Sequence, residues 1–178
     1  MTHGTRQPAR GMTRGDLALA SRRLGAASLP RIALRSADFH DGGMLPTRST
    51  IDGDGVPPTL SWDALTPEPL SWALICQDPD APRATPFAHW LVYGIAGPVR
   101  CIDSNLADFH EGLNDRGQLG FAPASPPPGD GFHRYVFQLF ALDTELSLPR
   151  GRDCERLLGA LSGHVMAWGE LVGLYQRL

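Results

Sequence analysis

LSWALICQDPDAPRATPFAHWLVYGI, residues 70–95, holds two apolar runs, Trp72 to Cys76 and Trp90 to Ile95, on either side of a proline-rich connection. The runs have the length and the aromatic and β-branched content of buried strands. Pro79, Pro82 and Pro86 fix φ and withdraw backbone donors, so the connection folds neither as a helix nor as a ladder. What remains is a stiff turn with Asp78, Asp80, Arg83 and His89 at the end of two strands, where ligand chemistry concentrates. Tight turns of this kind also retain cis X-Pro bonds, and Pro79 and Pro82 are the candidates.

Downstream, His133 to Leu142 is the clearest strand of the chain, and its near-continuous apolarity predicts a central position in a sheet. Alternation puts His133, Tyr135, Phe137 and Leu139 on one face. The same rule puts His89, Leu91 and Tyr93 on one face of their strand, opposite Trp90 and Val92. Two strands that each begin with histidine can then bring both imidazoles to one rim. Helical spacing of Cys154, Leu157, Leu158 and Leu161 predicts a helix from Asp153 to Leu161, and His164 to Glu170 reads as a second helical segment before a closing strand, Leu171 to Gln176.

Upstream, Arg31 to Ser36 reads as the first strand, Leu45 to Ile51 as an edge strand tolerant of Pro46, and Pro58 to Trp62 as a short strand. Residues 1–28 read as a flexible, Arg-rich extension with a short helix capped by Asp16 and ended by Gly25, and residues 29–178 as one domain. Residues 101–132, rich in Gly, Pro, Asn and Asp, predict a functional loop rather than a linker.

All 16 basic residues are arginine. Residues 1–35 hold seven arginines and one acid (net +6), while the remainder holds nine against eighteen acids (net −9). An acidic body argues against a nucleic-acid-binding face. No apolar run is long enough for a membrane-spanning helix and none near the N-terminus resembles a secretory core, so a cytoplasmic protein is expected. Cys76, Cys101 and Cys154 are widely spaced without a CxxC pair, which predicts structural thiols. Asp52-Gly53-Asp54-Gly55 lacks the later acidic ligands of a calcium loop.

The Asp78-Pro79-Asp80-Ala81-Pro82 turn, Gly112-Leu113-Asn114-Asp115, Ser125-Pro126-Pro127-Pro128-Gly129, His133-Arg134-Tyr135-Val136-Phe137 and Gly163-His164-Val165-Met166-Ala167 together resemble the phosphatidylethanolamine-binding protein family, in its bacterial and archaeal Raf kinase inhibitor-like branch. The resemblance runs from about Ile32 to the C-terminus. It implies a mainly β fold, a sandwich of two mostly antiparallel sheets with a C-terminal helix. It also implies a small anion pocket for phosphate-type groups, whether a phospholipid head group or a phosphorylated ligand. Asp78, His89, His133 and Tyr135 would line that pocket, with Asp80, Pro82 and Pro126 around them. It favours Ala81–Pro82 as the cis bond, allows a homodimer, and suggests regulation of a kinase or another partner protein. One departure concerns the loop Gly120-Phe121-Ala122-Pro123-Ala124-Ser125-Pro126-Pro127, where the family commonly has Gly-Tyr-Gly-Gly-Pro-Cys-Pro-Pro. Ala and Pro in place of glycine stiffen this rim.

The chemistry of these groups is coherent with that implication. Imidazole N–H and phenol O–H donate to phosphate oxygens, and a carboxylate fixes the tautomer of a histidine. Asp78 would organise the site rather than touch the anion, and Asp80 would shape the turn by bonding backbone amides. The expected protein is a non-catalytic binding module without cofactor, metal or catalytic residue. The alternative is a small hydrolase or a metal-dependent enzyme using the same Asp, His and Tyr groups. It lacks sequence support: there is no GxSxG around Ser125, no motif around Cys101, and no HxH or HExxH.

Overall fold

The computed structural model describes residues 12–103 and 108–178; residues 1–11 of the expected extension and 104–107 of the expected loop lie outside the described residues. The strands in chain order are β1 (Leu34–Ser36), β2 (Gly43–Met44), β3 (Leu60–Trp62), β4 (Ser71–Asp78), β5 (Phe87–Ala96), β6 (Cys101–Ile102), β7 (His110–Glu111), β8 (His133–Leu142) and β9 (Val165–Tyr175). They form a six-stranded sheet of order β2-β9-β8-β4-β5-β7 and a three-stranded sheet of order β1-β3-β6, antiparallel except where β2 meets β9. The fold is thus the expected mainly β sandwich.

Apolar patterning explains the layers. Every residue of β4 is buried, because both faces of the large sheet are covered, so the strand reads as a continuous run instead of alternating. One face packs Trp72, Leu74, Phe137 and Leu139 against Leu34, Leu60 and Trp62 of the small sheet. The other packs Ile75, Leu91, Tyr93 and Phe140 beneath the helix α3 (Cys154–Leu161) through Leu157, Leu158 and Leu161. Asp153 caps α3 by accepting the Arg156 N–H at 2.8 Å. Each leucine sealed under that helix stabilises the fold by roughly 1.5–3 kcal/mol.

Several expectations are corrected. The segment expected as helix from His164 to Glu170 is a turn residue followed by strand: β9 starts at Val165 and, past an irregularity near its start, pairs along its length with β8. Tertiary pairing overrides local helix preference here. Gly169 marks the reason, since a Cβ there would lie 2.6 Å from the Ile32 carbonyl oxygen. The segment 45–51 is not an edge strand; Thr47–Ser49 form a 3₁₀ turn behind Pro46. The cis bond lies at Thr66–Pro67, while the bonds before Pro79 and Pro82 are trans.

The N-terminal segment departs most. Within the expected flexible stretch, residues 13–28 form α1 (Arg14–Leu17), α2 (Ala20–Arg23) and a 3₁₀ turn (Ala26–Ser28), with Leu19, Ala20 and Ala26 buried on the large sheet. Thr13, not Asp16, caps α1; Asp16 completes a capping box by accepting the Thr13 N–H at 2.7 Å. The start of α2 has no side-chain cap of its own. Its Ala20 N–H donates to Gln77 Oε1 at 2.9 Å and its Ser21 N–H to Gln138 Oε1 at 2.8 Å. Two buried glutamines of the central strands, joined to each other at 3.0 Å, thereby satisfy helix donors that would otherwise be orphaned.

Candidate functional site

The Asp-Pro-Asp turn at the end of β4 meets the first residues of β8. Asp78 Oδ1 accepts the Asp80 N–H at 2.8 Å, which closes the turn with trans prolines. Its Oδ2 accepts from His133 Nδ1 at 2.7 Å, with both side chains almost fully buried. Asp80 turns to the other side and takes the next residue. Arg134 donates to it from Nε at 2.8 Å, from Nη2 at 2.7 Å and from its backbone N–H at 3.0 Å. The remaining Arg134 donor reaches Asp16 of α1 at 2.7 Å. Two acids two residues apart therefore grip two consecutive residues that alternate across the sheet. Burial works against the Asp80 charge, but the Arg134 hydrogen bonds outweigh it and hold the carboxyl below its usual range.

His89 reaches the same rim by an irregularity. Cys76 pairs with Trp90 and Gln77 with Ala88, so β5 carries one extra residue, His89. This β-bulge rotates His89 out of the strict alternation that would set it beside Leu91 and Tyr93. Its ring lies instead edge-on to Tyr135, centroids 5.0 Å apart, on the face shared by Trp90 and Phe137. Its Nδ1–H donates to the Ala122 carbonyl at 2.8 Å, which leaves Nε2 without a hydrogen-bond partner among the described residues. Burial holds the His89 imidazole below its ordinary value, so it favours the neutral form. His133 is the opposite case. The Asp78 hydrogen bond raises it, and its Nε2 faces Asp130 Oδ2 at 3.1 Å, so both ring nitrogens point at carboxylates, an arrangement that favours the protonated ring.

A cleft of about 200 Å³ opens at this rim, lined by Asp78, Pro82, His89, Pro126 and His133 among the expected residues. Tyr135 and Asp80 do not line it. Tyr135 is buried beneath His89, its hydroxyl beside the Ser125 backbone without a well-formed hydrogen bond, and burial pushes its phenol upward. Asp80 is committed to Arg134. Residues not anticipated complete the wall: Phe87, with its ring 4.7 Å from that of His89, Ser125, and Arg116. Arg116 is the cation of the rim and forms no ion pair among the described residues. It follows Asp115 in the Gly-Leu-Asn-Asp block, so its place after a recognised motif was the available signal. Among the described residues no three His, Cys, Asp or Glu side chains gather as a metal site.

Residues 35–176 match the family model described as phosphatidylethanolamine-binding protein. Over 151 residues, covering 81% of this chain and 98% of the relative, the sequence is 41% identical to a UPF0098 protein of Methanothermobacter thermautotrophicus. A crystal structure of a phosphatidylethanolamine-binding protein homologue from Chlamydia trachomatis superposes with a TM-score of 0.77 at 34% identity, covering 83% of this chain and 99% of that one. YbcL of Escherichia coli, described as a member of the mammalian family of that name, gives a TM-score of 0.74 at 26% identity over 83% of this chain and 99% of its own.

Proposed function

The chain belongs to the phosphatidylethanolamine-binding protein family, and on that footing we propose that its cleft is a non-catalytic binding site for a small phosphate-type anion. The observation that carries this reading is His133, an imidazole clamped by buried Asp78, whose hydrogen bond favours its cationic form, at the wall of a small cleft. The neighbouring groups suit a monoprotonated phosphate. Arg116 and His133 supply donors to its oxygens, and the free Nε2 of neutral His89 accepts from its P–OH. Phe87, Pro82, Pro126 and Pro127 give the rim an apolar side for the organic part of a phosphomonoester or a lipid head group. The body's net −9 offers no general attraction, so affinity must come from these local donors. Control of a protein partner, a kinase included, would then follow from whether the cleft is occupied.

Titration of the protein with phosphoethanolamine, followed by calorimetry and by the chemical shifts of both histidines, tests the reading. Loss of one charge-assisted hydrogen bond, roughly 1.5–3 kcal/mol, should weaken binding by about tenfold or more in His133→Ala. Unaltered affinity in both His89→Ala and His133→Ala would sink the assignment. Steady phosphomonoester or ester hydrolysis abolished by the same changes would move the protein to the hydrolase reading.

A further inference from the structure

We propose that Asp130 is a built-in stand-in for the ligand's anion: its carboxylate takes the cleft-side nitrogen of His133, Nε2, and must swing away before an anion can bind there. The inference rests on the anion-pocket reading and adds to it a residue that sets affinity. Three observations support it. First, both donors of His133 are taken, Nδ1 by Asp78 at 2.7 Å and Nε2 by Asp130 at 3.1 Å, so no N–H of that ring is free for an incoming oxygen. Second, the two carboxylates are unequal. The Asp78 side chain is 5% exposed and held in its turn, whereas that of Asp130 is 49% exposed and makes the longer contact. A half-exposed pair contributes little, and water can receive the departing carboxylate.

Third, the side chain of Asp130 can turn without the loop. Gly129 and Gly131 flank it, both with positive φ (78° and 85°), and a Cβ built at either would meet no atom within 4 Å, so neither neighbour crowds it. The backbone itself is held, the Gly129 N–H by the Arg177 carbonyl at 3.0 Å and the Asp130 N–H by that of Pro127 at 3.2 Å, so the motion required is a rotation of the half-exposed carboxylate. A carboxylate and a phosphate oxygen have the same charge and accept the same hydrogen bond, so they compete for one position. The ligand must win that exchange, and the wild-type site binds anions more weakly than its donors alone would allow.

Inorganic phosphate is the probe, with its dissociation constant and the His133 ring shifts measured by NMR for wild type, Asp130→Asn and Asp130→Ala. Removing the competitor should tighten phosphate by roughly threefold to tenfold, with Asp130→Ala at least as tight as Asp130→Asn. In wild type, phosphate should shift the His133 Nε2 resonance as Asp130 leaves; in Asp130→Ala the free protein should already lack the Asp130 contribution. Equal phosphate affinity in wild type and both variants overturns the Asp130 proposal while leaving the anion pocket standing. Weaker binding in both variants, with a lowered melting temperature, also overturns it and makes Asp130 a loop staple. No phosphate binding to any of the three proteins, with unperturbed histidine shifts, overturns the pocket reading itself.

Discussion

His89 and His133 carry the same side chain and line the same cleft, yet the fold treats them oppositely. Burial holds His89 below its ordinary value against the opposing pull of the Ala122 carbonyl, while the hydrogen bond to buried Asp78 raises His133. Charged groups on both sides enter this balance: Asp78 and Asp130 around His133, and Asp78, Asp115 and Arg116 around His89. The two rings should therefore titrate on opposite sides of the ordinary histidine value of 6.5, His133 above and His89 below. For stability the signs differ accordingly. The His133 contribution is complete below 6.5 and is lost as pH rises through its raised value; the His89 contribution is present above 6.5 and is lost as pH falls through its lowered value. Ring titration by NMR checks this, and coincident midpoints would refute the assignment of charge. At this scale Asp78 and His133 were legible from motif and alternation. Arg116 was not, because a lone arginine in a loop has no periodicity to betray it.

Among the elements, β5 and the N-terminal helices hold what patterning could not reveal. A β-bulge changes which face a residue takes without changing the apolar count of the strand, so strict alternation sends His89 the wrong way. A short helix ahead of Gly25 was legible, but its division into α1 and α2 and its docking on the sheet were not, because helices of four residues are too short for a periodic signal. Their trace in the sequence was Gln77 and Gln138, two amides inside otherwise apolar strands and hence in need of partners. Deleting residues 1–28 would remove the Ala20 and Ser21 N–H donors from those amides, leave Gln77 Oε1 only its bond from Gln138 Nε2, and expose to water the sheet beneath Ala20 and Ala26. Each lost hydrogen bond is worth about 0.5–1.5 kcal/mol and the uncovered apolar surface adds to it, so the truncated protein should melt several degrees lower. An unchanged melting temperature by calorimetry would mean that the segment adds nothing to the body.

Across the whole molecule, the two-sheet architecture was legible because β4 and β8 are long, apolar and bounded by turns, and the motif blocks lie at their ends. The closing strand was legible only from Leu171 on; its first half, Val165 to Glu170, was not, since that stretch suits either period locally and only the ten-rung partnership of β9 with β8 decides. One consequence concerns how the molecule opens. The Asp78–Asp80 turn grips His133 toward the cleft and Arg134 toward α1, like a single bolt through two plates. Neither plate can loosen alone: an excursion that frees the turn releases the cleft wall and, through Arg134 and Asp16, the docked helices on the far side. In amide hydrogen exchange, the N–H groups of Asp80, Arg134 and Ala20 should accordingly report one shared opening, although they lie on two faces of the sheet. Asp80 exchanging freely while Ala20 stays protected would show that the two sides breathe separately.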